Sequence, residues 1–140
     1  MDKFEAYSFL LSDVIFGNML LYAHNEFVLY AMKRLGQYNN QIMLTVSTLG
    51  FTIAVIINYS CGAILLKLYK ASIDNEKLAN YRKLYRGFQQ YGYYILCTNI
   101  FPLFGSFIPL LTGFADFGLW RCIIVAVTSK MIFYLYYIYL

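Results

Sequence analysis

The run from Gln41 to Leu66 contains no charged side chain. It is longer than the ~20 apolar residues that an α-helix needs to cross a bilayer. A soluble domain carries roughly 25% charged residues, whereas this chain of 140 residues has 13% charged and 61% hydrophobic residues. The sequence therefore predicts an all-α integral membrane protein that crosses the bilayer more than once.

The same composition argues against several function classes. One histidine, His24, cannot form a histidine-based metal cluster, and the cysteines lack the spacing of metal ligands or of a disulfide framework (Cys61, Cys97 and Cys122). No nucleophile–base pair is visible. We therefore expect no enzyme, no cofactor and no metal site. The +4 net charge is concentrated in one segment, so we also expect no nucleic-acid partner.

Two apolar segments, 41–66 and 118–140, are long enough to be full transmembrane helices. In the first, small or polar residues recur every four positions, which places them on one helix face: Gly50, Ala54, Asn58 and Gly62. Small residues there allow another helix to approach closely, and the Asn58 amide can donate a hydrogen bond across that contact. The alternative is that Asn58 faces a substrate.

A second apolar region contains the stretch "FPLFGSFIPLLTG", in which helix-breaking residues recur: Pro102, Gly105, Pro109 and Gly113. From Gly92 to Phe101 a helix would rise only ~15 Å, which is half of the ~30 Å hydrocarbon core. Two half-length helices joined at these residues form a re-entrant hairpin; the alternative is a kinked span. The breaker "AHNEF" gives 4–35 the same two possibilities, a broken span or a hairpin.

The region between the two halves is basic. Residues 67–86 contain six Lys or Arg against two acidic residues, and the positive-inside rule then predicts that the connector 67–90 is cytoplasmic. The chain is thus one membrane domain built as a repeat of hairpin plus helix. Its first half is 1–66, the connector follows at 67–90, and its second half is 91–140.

Ionisable residues inside apolar segments are costly and are functional candidates by default. Glu26 lies at the first breaker, where it could carry a proton, contact a substrate or cap the following half-helix. Lys130 lies near the middle of the last span, where it could pair with Glu26 or with a lipid phosphate, or snorkel to the interface. Arg121 is a further candidate for polar contact, or an anchor at the membrane edge. Asp13 could mark the polar face of the first helix.

Residues 91–130, "YGYYILCTNIFPLFGSFIPLLTGFADFGLWRCIIVAVTSK", resemble the DedA family, also called the SNARE-associated Golgi protein or VTT domain family, and within it the small YqaA-like branch. The resemblance rests on Tyr91, Gly92, Pro102, Gly105, Gly113, Trp120, Arg121 and Lys130. In the first half, Glu26 and the stretch "TLGFTIAVIINYSCG" also match.

The resemblance implies a transporter or a lipid scramblase or flippase of a bacterial inner membrane, with proton coupling as an expectation. It also implies a polar or anionic lipid as substrate, such as a polyprenyl phosphate or an anionic phospholipid. The chain departs from the family pattern at Asn99, Ser106 and Phe133. An alternative is therefore a non-transporting interaction or assembly protein that kept the scaffold. Self-association into a homo-oligomer is left open.

Overall fold

The computed structural model describes residues 2–19, 27–72, 75–97 and 107–140, and every regular element in these ranges is an α-helix. In chain order the elements are α1 (Lys3–Asn18), α2 (Phe27–Leu35), α3 (Asn40–Ala71), α4 (Asn75–Cys97), α5 (Phe107–Phe114) and α6 (Leu119–Tyr139). Helix α3 is the centre of the arrangement, because α1, α5 and α6 all pack against it.

Two helices of the described ranges, α3 and α6, are long and apolar enough to cross a membrane. They have 32 and 21 residues, which correspond to about 48 and 32 Å at the helical rise of ~1.5 Å per residue. Only 39% of the most apolar window of α3 and 33% of that of α6 is buried. Most residues of both windows are therefore not covered by the rest of the described chain.

The outer surface of α3 and α6 is apolar. Leu49, Ile53 and Ile64 project outward from α3, and Ile124 and Ile132 project outward from α6. Large exposed apolar patches mark sites of contact with a membrane or with another protein. The surface therefore agrees with the two spans that the sequence predicts at these helices.

The first two helices form a hairpin. The Val28 N–H at the start of α2 donates to Asp13 Oδ2 of α1 over 3.0 Å. At the other end, the rings of Tyr7 and Tyr38 lie 5.9 Å apart, and the Asn39 N–H donates to the Tyr7 hydroxyl over 3.1 Å. The chain thus returns to the end from which α1 starts, which is the geometry of a hairpin and not of one broken helix. Asp13 caps the N-terminus of α2.

The basic connector is largely helical. Helix α3 continues to Ala71 and α4 begins at Asn75, so only the few residues between them join the two. The tract "NEKLANYRKLYRGFQQ" is polar but rich in strong helix formers, and this explains why it is helical. Lys67, Lys70 and Arg82 are exposed on the two helices.

The beginning of α4 packs against α5. The Tyr81 ring lies edge-on to Phe114 at 6.1 Å, its hydroxyl donates to the Phe114 carbonyl over 3.4 Å, and the Lys70 ammonium lies 5.1 Å from its centroid. Burial raises the pKa of the Tyr81 phenol, and the nearby Asp116 carboxylate raises it further. Tyr81 therefore stays neutral and joins the basic region to the second hairpin.

Helix α5 has eight residues and is about 12 Å long, too short to cross a bilayer. Pro109 and Gly113, which we predicted to belong to the re-entrant turn, lie inside this helix. Proline is tolerated there because the first N–H groups of a helix have no intrahelical partner. Pro102 and Gly105 lie outside the described residues.

The segment 92–117 also closes on itself. The Tyr93 and Phe117 rings lie 5.3 Å apart, and a Cβ on Gly92 would collide with the Phe117 ring. Gly92 and Phe117, which lie on either side of the stretch with the helix-breaking residues, are thus in contact. A kinked span would instead separate these residues by the thickness of the bilayer.

The predicted small-residue face of α3 is confirmed. Gly50 packs against α1, where its Cβ position is 3.1 Å from Val14 Cγ1. Gly62 packs against α5 so closely that a Cβ would collide with the Leu110 carbonyl, and Gly113 faces the Tyr59 carbonyl in the same way. The backbones of α3 and α5 are therefore in direct contact at a pair of glycines.

A tight turn leads from α5 into α6. The Phe117 N–H donates to the Thr112 carbonyl over 3.1 Å, and the Asp116 N–H donates to the Gly113 carbonyl over 3.2 Å. This is the hydrogen-bond pattern of the Schellman motif, whose left-handed position is usually glycine. Here Asp116 occupies it with φ of 52°.

Candidate polar site at the contact of α3 and α6

Polar side chains are buried inside this apolar helical bundle. Within the described ranges they are Asn18, Ser47, Asn58, Thr112, Ser129 and Lys130. A buried polar group destabilises a fold unless it is hydrogen-bonded, and a buried charge does so more strongly. Each of these side chains therefore needs a structural or functional explanation.

Lys130 is the buried cation. Its side chain is 4% exposed, and three rings surround the ammonium, with centroids 5.6 Å away for Phe51, 5.1 Å for Phe133 and 5.6 Å for Tyr134. Cation–π contacts of this kind contribute ~0.5–2 kcal/mol each. Lys130 thus lies inside the bundle, between α3 and α6, whereas a lysine that snorkels would extend along the outer surface.

Phe133 has a defined place beside this cation. The resemblance to the DedA family leads us to expect a basic residue there, and the chain has an aromatic ring. A second cation close to the Lys130 ammonium would repel it, whereas the ring face attracts it. The Phe133 ring is thus part of the aromatic enclosure of the Lys130 ammonium.

Asn58 joins α3 to the end of α1. It is 1% exposed, and its Nδ2 donates to the Asn18 carbonyl over 2.7 Å. Asn18 in turn donates from its own Nδ2 to the Val14 carbonyl over 2.9 Å. The Asn18 carbonyl belongs to the last turn of α1, where carbonyls lack intrahelical partners. The packing interpretation of Asn58 accounts for this bond, and a substrate contact stays a prediction.

Ser47 lies one helical turn before Phe51, on the same face of α3. Its Oγ is buried, and no hydrogen-bond partner for it exists in the described part of the chain. Other hydroxyls of α3 bond the carbonyl four residues earlier, as Thr48 does to Leu44 over 2.7 Å. An unsatisfied buried hydroxyl destabilises by ~1–3 kcal/mol. The sequence does not distinguish Ser47 from its hydroxyl-bearing neighbours, and so our sequence analysis missed it.

Of the other candidates in the described ranges, Arg121 lies away from Lys130. Arg121 is exposed in the first turn of α6, nine residues or about 13 Å along the helix from Lys130. This position suits an anchor at the end of the span. Glu26 lies outside the described residues, as do Asn99 and Ser106. The described candidate site therefore consists of Lys130 and its three rings, with Ser47 one helical turn from Phe51 on α3.

Comparison with known proteins gives one informative similarity. The chain is 29% identical over 140 residues to an uncharacterized protein of Rickettsia prowazekii (strain Madrid E), and the match covers 100% of this chain and 99% of the Rickettsia protein. No family model and no solved structure matches the chain. The similarity indicates a relative of the same size and adds no activity.

Proposed function

We propose that this chain is an integral membrane protein of the DedA type that moves a polar or anionic lipid across the bilayer. The observation that carries the proposal is Lys130, a 4% exposed cation near the middle of a helix that is long enough to cross a membrane. An ionisable residue at that depth is costly to keep, and such residues mark the paths of ions and polar substrates.

The two hairpins support the same proposal. Helices α2 and α5, with nine and eight residues, are too short to cross a bilayer, and each hairpin returns to its starting end. Many transporters bind their substrates where such discontinuous helices meet full spans. Irregular backbone at membrane depth is tolerated where protein or a water-filled cavity surrounds it. In this proposal both hairpins are re-entrant, and α3 and α6 are the full spans.

The residues have separate roles in the proposed mechanism. Lys130 attracts the phosphate of a polyprenyl phosphate or of an anionic phospholipid, and the unsatisfied Ser47 hydroxyl donates a hydrogen bond to it. Glu26 carries the proton in a coupled exchange. The basic region around α4 stays in the cytoplasm of a bacterial cell, and the protein lies in the inner membrane.

A second candidate is a non-transporting assembly protein on the same scaffold. Asn58 favours it, because its amide is used for packing α3 against α1. Phe133 favours it as well, since a ring replaces a second cation that would contact an anionic head group. A lipid-movement assay separates the two candidates.

The test uses purified protein reconstituted into vesicles that carry a fluorescent anionic lipid, with an impermeant quencher to report movement between leaflets. Lys130→Met keeps most of the length of the side chain and removes its charge. We expect this variant to stay folded in thermal unfolding and to lose lipid movement. Lys67→Met is the matched control, because Lys67 is exposed on α3, and it should move lipid as the wild type does.

Two results would count against the transport proposal. The first is wild-type protein that moves no lipid although it is folded. The second is Lys130→Met that moves lipid at the wild-type rate. The first result would favour the assembly protein, and the second would remove Lys130 from the proposed mechanism.

A further inference from the structure

A basic groove lies at the far end of α6 from Arg121. It is open, has a volume of ≈ 400 Å³, and is lined by Tyr30, Lys33, Arg34 and Tyr137. The Tyr30 and Tyr137 rings meet edge to face at 4.4 Å. The Lys33 ammonium donates to the Tyr137 carbonyl and lies 4.7 Å from the centroid of the Tyr137 ring. These contacts give the groove fixed walls.

The charge of the groove favours an anion. Two cations and no carboxylate are among its lining residues. Lys33 has three N–H donors and uses one for Tyr137. Arg34 is exposed, and its planar guanidinium matches the oxygens of a phosphate in a bidentate manner.

The helix ends nearby act in the opposite direction. Both α2 and α6 end at the groove, and the C-terminal end of a helix carries a partial negative charge that repels anions. Lys33 offsets this effect at α6, because it donates to a carbonyl of the last turn. Arg34 is then the side chain with the most unused capacity to bind an anion.

The position of the groove indicates which anion reaches it. Tyr137 lies two helical turns beyond Lys130, about 10 Å along the axis of α6, and Gly36 with φ of 63° starts the turn from α2 into α3. Under the proposed membrane placement, the groove is at the end of a span, at the depth of lipid head groups, where tyrosine is enriched. The outward-facing Ile132 and Leu135 of α6 offer apolar surface for the acyl chains below it.

We infer that the groove of Tyr30, Lys33, Arg34 and Tyr137 binds the phosphate head group of an anionic phospholipid that stays at the protein surface. This lipid is separate from the proposed transported lipid, because it is bound at the end of the span and not beside Lys130. The inference does not depend on lipid movement, and binding alone tests it.

The experiment measures binding of phosphatidylglycerol to the full chain. Purified protein in phosphatidylcholine nanodiscs is titrated with phosphatidylglycerol, and the melting temperature and the lipid retained in native mass spectrometry are recorded. Wild-type protein should gain melting temperature and retain the anionic lipid. Arg34→Gln should bind it about five-fold more weakly, as expected for one basic residue at an anionic surface. Arg34→Lys keeps the charge but loses the bidentate guanidinium, so its affinity for the lipid should lie between those of the wild type and Arg34→Gln.

Arg82→Gln is the matched control, since Arg82 is exposed on α4, outside the groove, and the change removes the same charge. It should respond as the wild type does. If Arg82→Gln weakened phosphatidylglycerol binding as much as Arg34→Gln does, the binding would reflect diffuse surface attraction, and this result would overturn the inference. A wild-type response from Arg34→Gln would overturn it too, and if that variant does not fold, a wild-type response from Arg34→Lys has the same meaning. A final titration uses inorganic phosphate in place of the lipid. A rise in melting temperature equal to that with lipid would identify a site for free anions and contradict the lipid assignment.

Discussion

Adding one methyl group at Gly62 should force α3 and α5 apart. A Cβ there would collide with the Leu110 carbonyl and lie 2.9 Å from the Phe114 nitrogen. From the other side, a Cβ at Gly113 would collide with the Tyr59 carbonyl. The obstacles are backbone atoms, which cannot rotate away as the end of a side chain can. The helices must therefore separate, and the contacts around them loosen.

The magnitude is best obtained by comparison with Gly87, which lies inside α4 and whose Cβ position meets nothing within 4 Å. Alanine in place of glycine in a helix stabilises by roughly 0.5–1 kcal/mol, and both substitutions share this gain. The difference between Gly62→Ala and Gly87→Ala then isolates the collision. Overpacking of this kind costs about 1–3 kcal/mol. Gly87→Ala should be at least as stable as the wild type, and Gly62→Ala should be less stable than Gly87→Ala by that amount.

Unfolding in mixed micelles, followed by circular dichroism, gives the free energy of unfolding of each variant. The double variant Gly62→Ala/Gly113→Ala should lose less than the sum of the single losses, by ~0.5–3 kcal/mol, because the first methyl group already separates the helices. Equal stability of Gly62→Ala and Gly87→Ala would refute the direct backbone contact. Additive losses would show that the two glycines do not share one contact.

Three other changes test the described structure. Asp116→Gly should raise the free energy of unfolding by about 1 kcal/mol, because glycine adopts the left-handed conformation without the penalty of a side chain; thermal unfolding measures it. Asn58→Leu should lower it by ~0.6–2 kcal/mol, as for other hydrogen bonds between membrane helices, and an unchanged value would mean that the bond to Asn18 contributes nothing. Single cysteines at the exposed positions Gln90 and Asp116 should react with an impermeant reagent from the same side, as should one at Arg82, and only in inverted vesicles. Reaction of the first two from opposite sides would indicate a kinked span.

The sequence predicts which face of a helix makes contacts better than it predicts which helix packs against that face. The four-residue spacing of Gly50, Ala54, Asn58 and Gly62 indicates a close helix contact, and all four residues are buried. It does not indicate that α1 covers one end of that face and α5 the other, because spacing within one helix carries no information about the other helix. The helix propensity of the basic tract predicts its helical form, although the tract is polar.

The candidate site was predicted only in part. The charge of Lys130 inside an apolar run distinguishes it from its neighbours, whereas Ser47 has no such signal. The interest of Ser47 comes from tertiary packing, which leaves its hydroxyl without a hydrogen-bond partner among the described residues, whereas Thr48 bonds its own helix. The groove at Arg34 was likewise not predicted from the sequence, because Tyr137 is distant in sequence and contacts Lys33 only in the folded chain.

Because both hairpins close, the chain crosses the bilayer an even number of times. Under the proposed membrane placement, a segment that returns to its starting side contributes no net crossing, so only α3 and α6 change the side of the chain. Two crossings return the chain to the side of the membrane from which it started. The segment before α1 and the end of α6 then share one compartment, and the exposed basic residues of α4 lie in the other. A reporter fused before Asp2 and one fused after Leu140 should therefore give the same compartment signal, and inserting or deleting one hairpin should leave that signal unchanged.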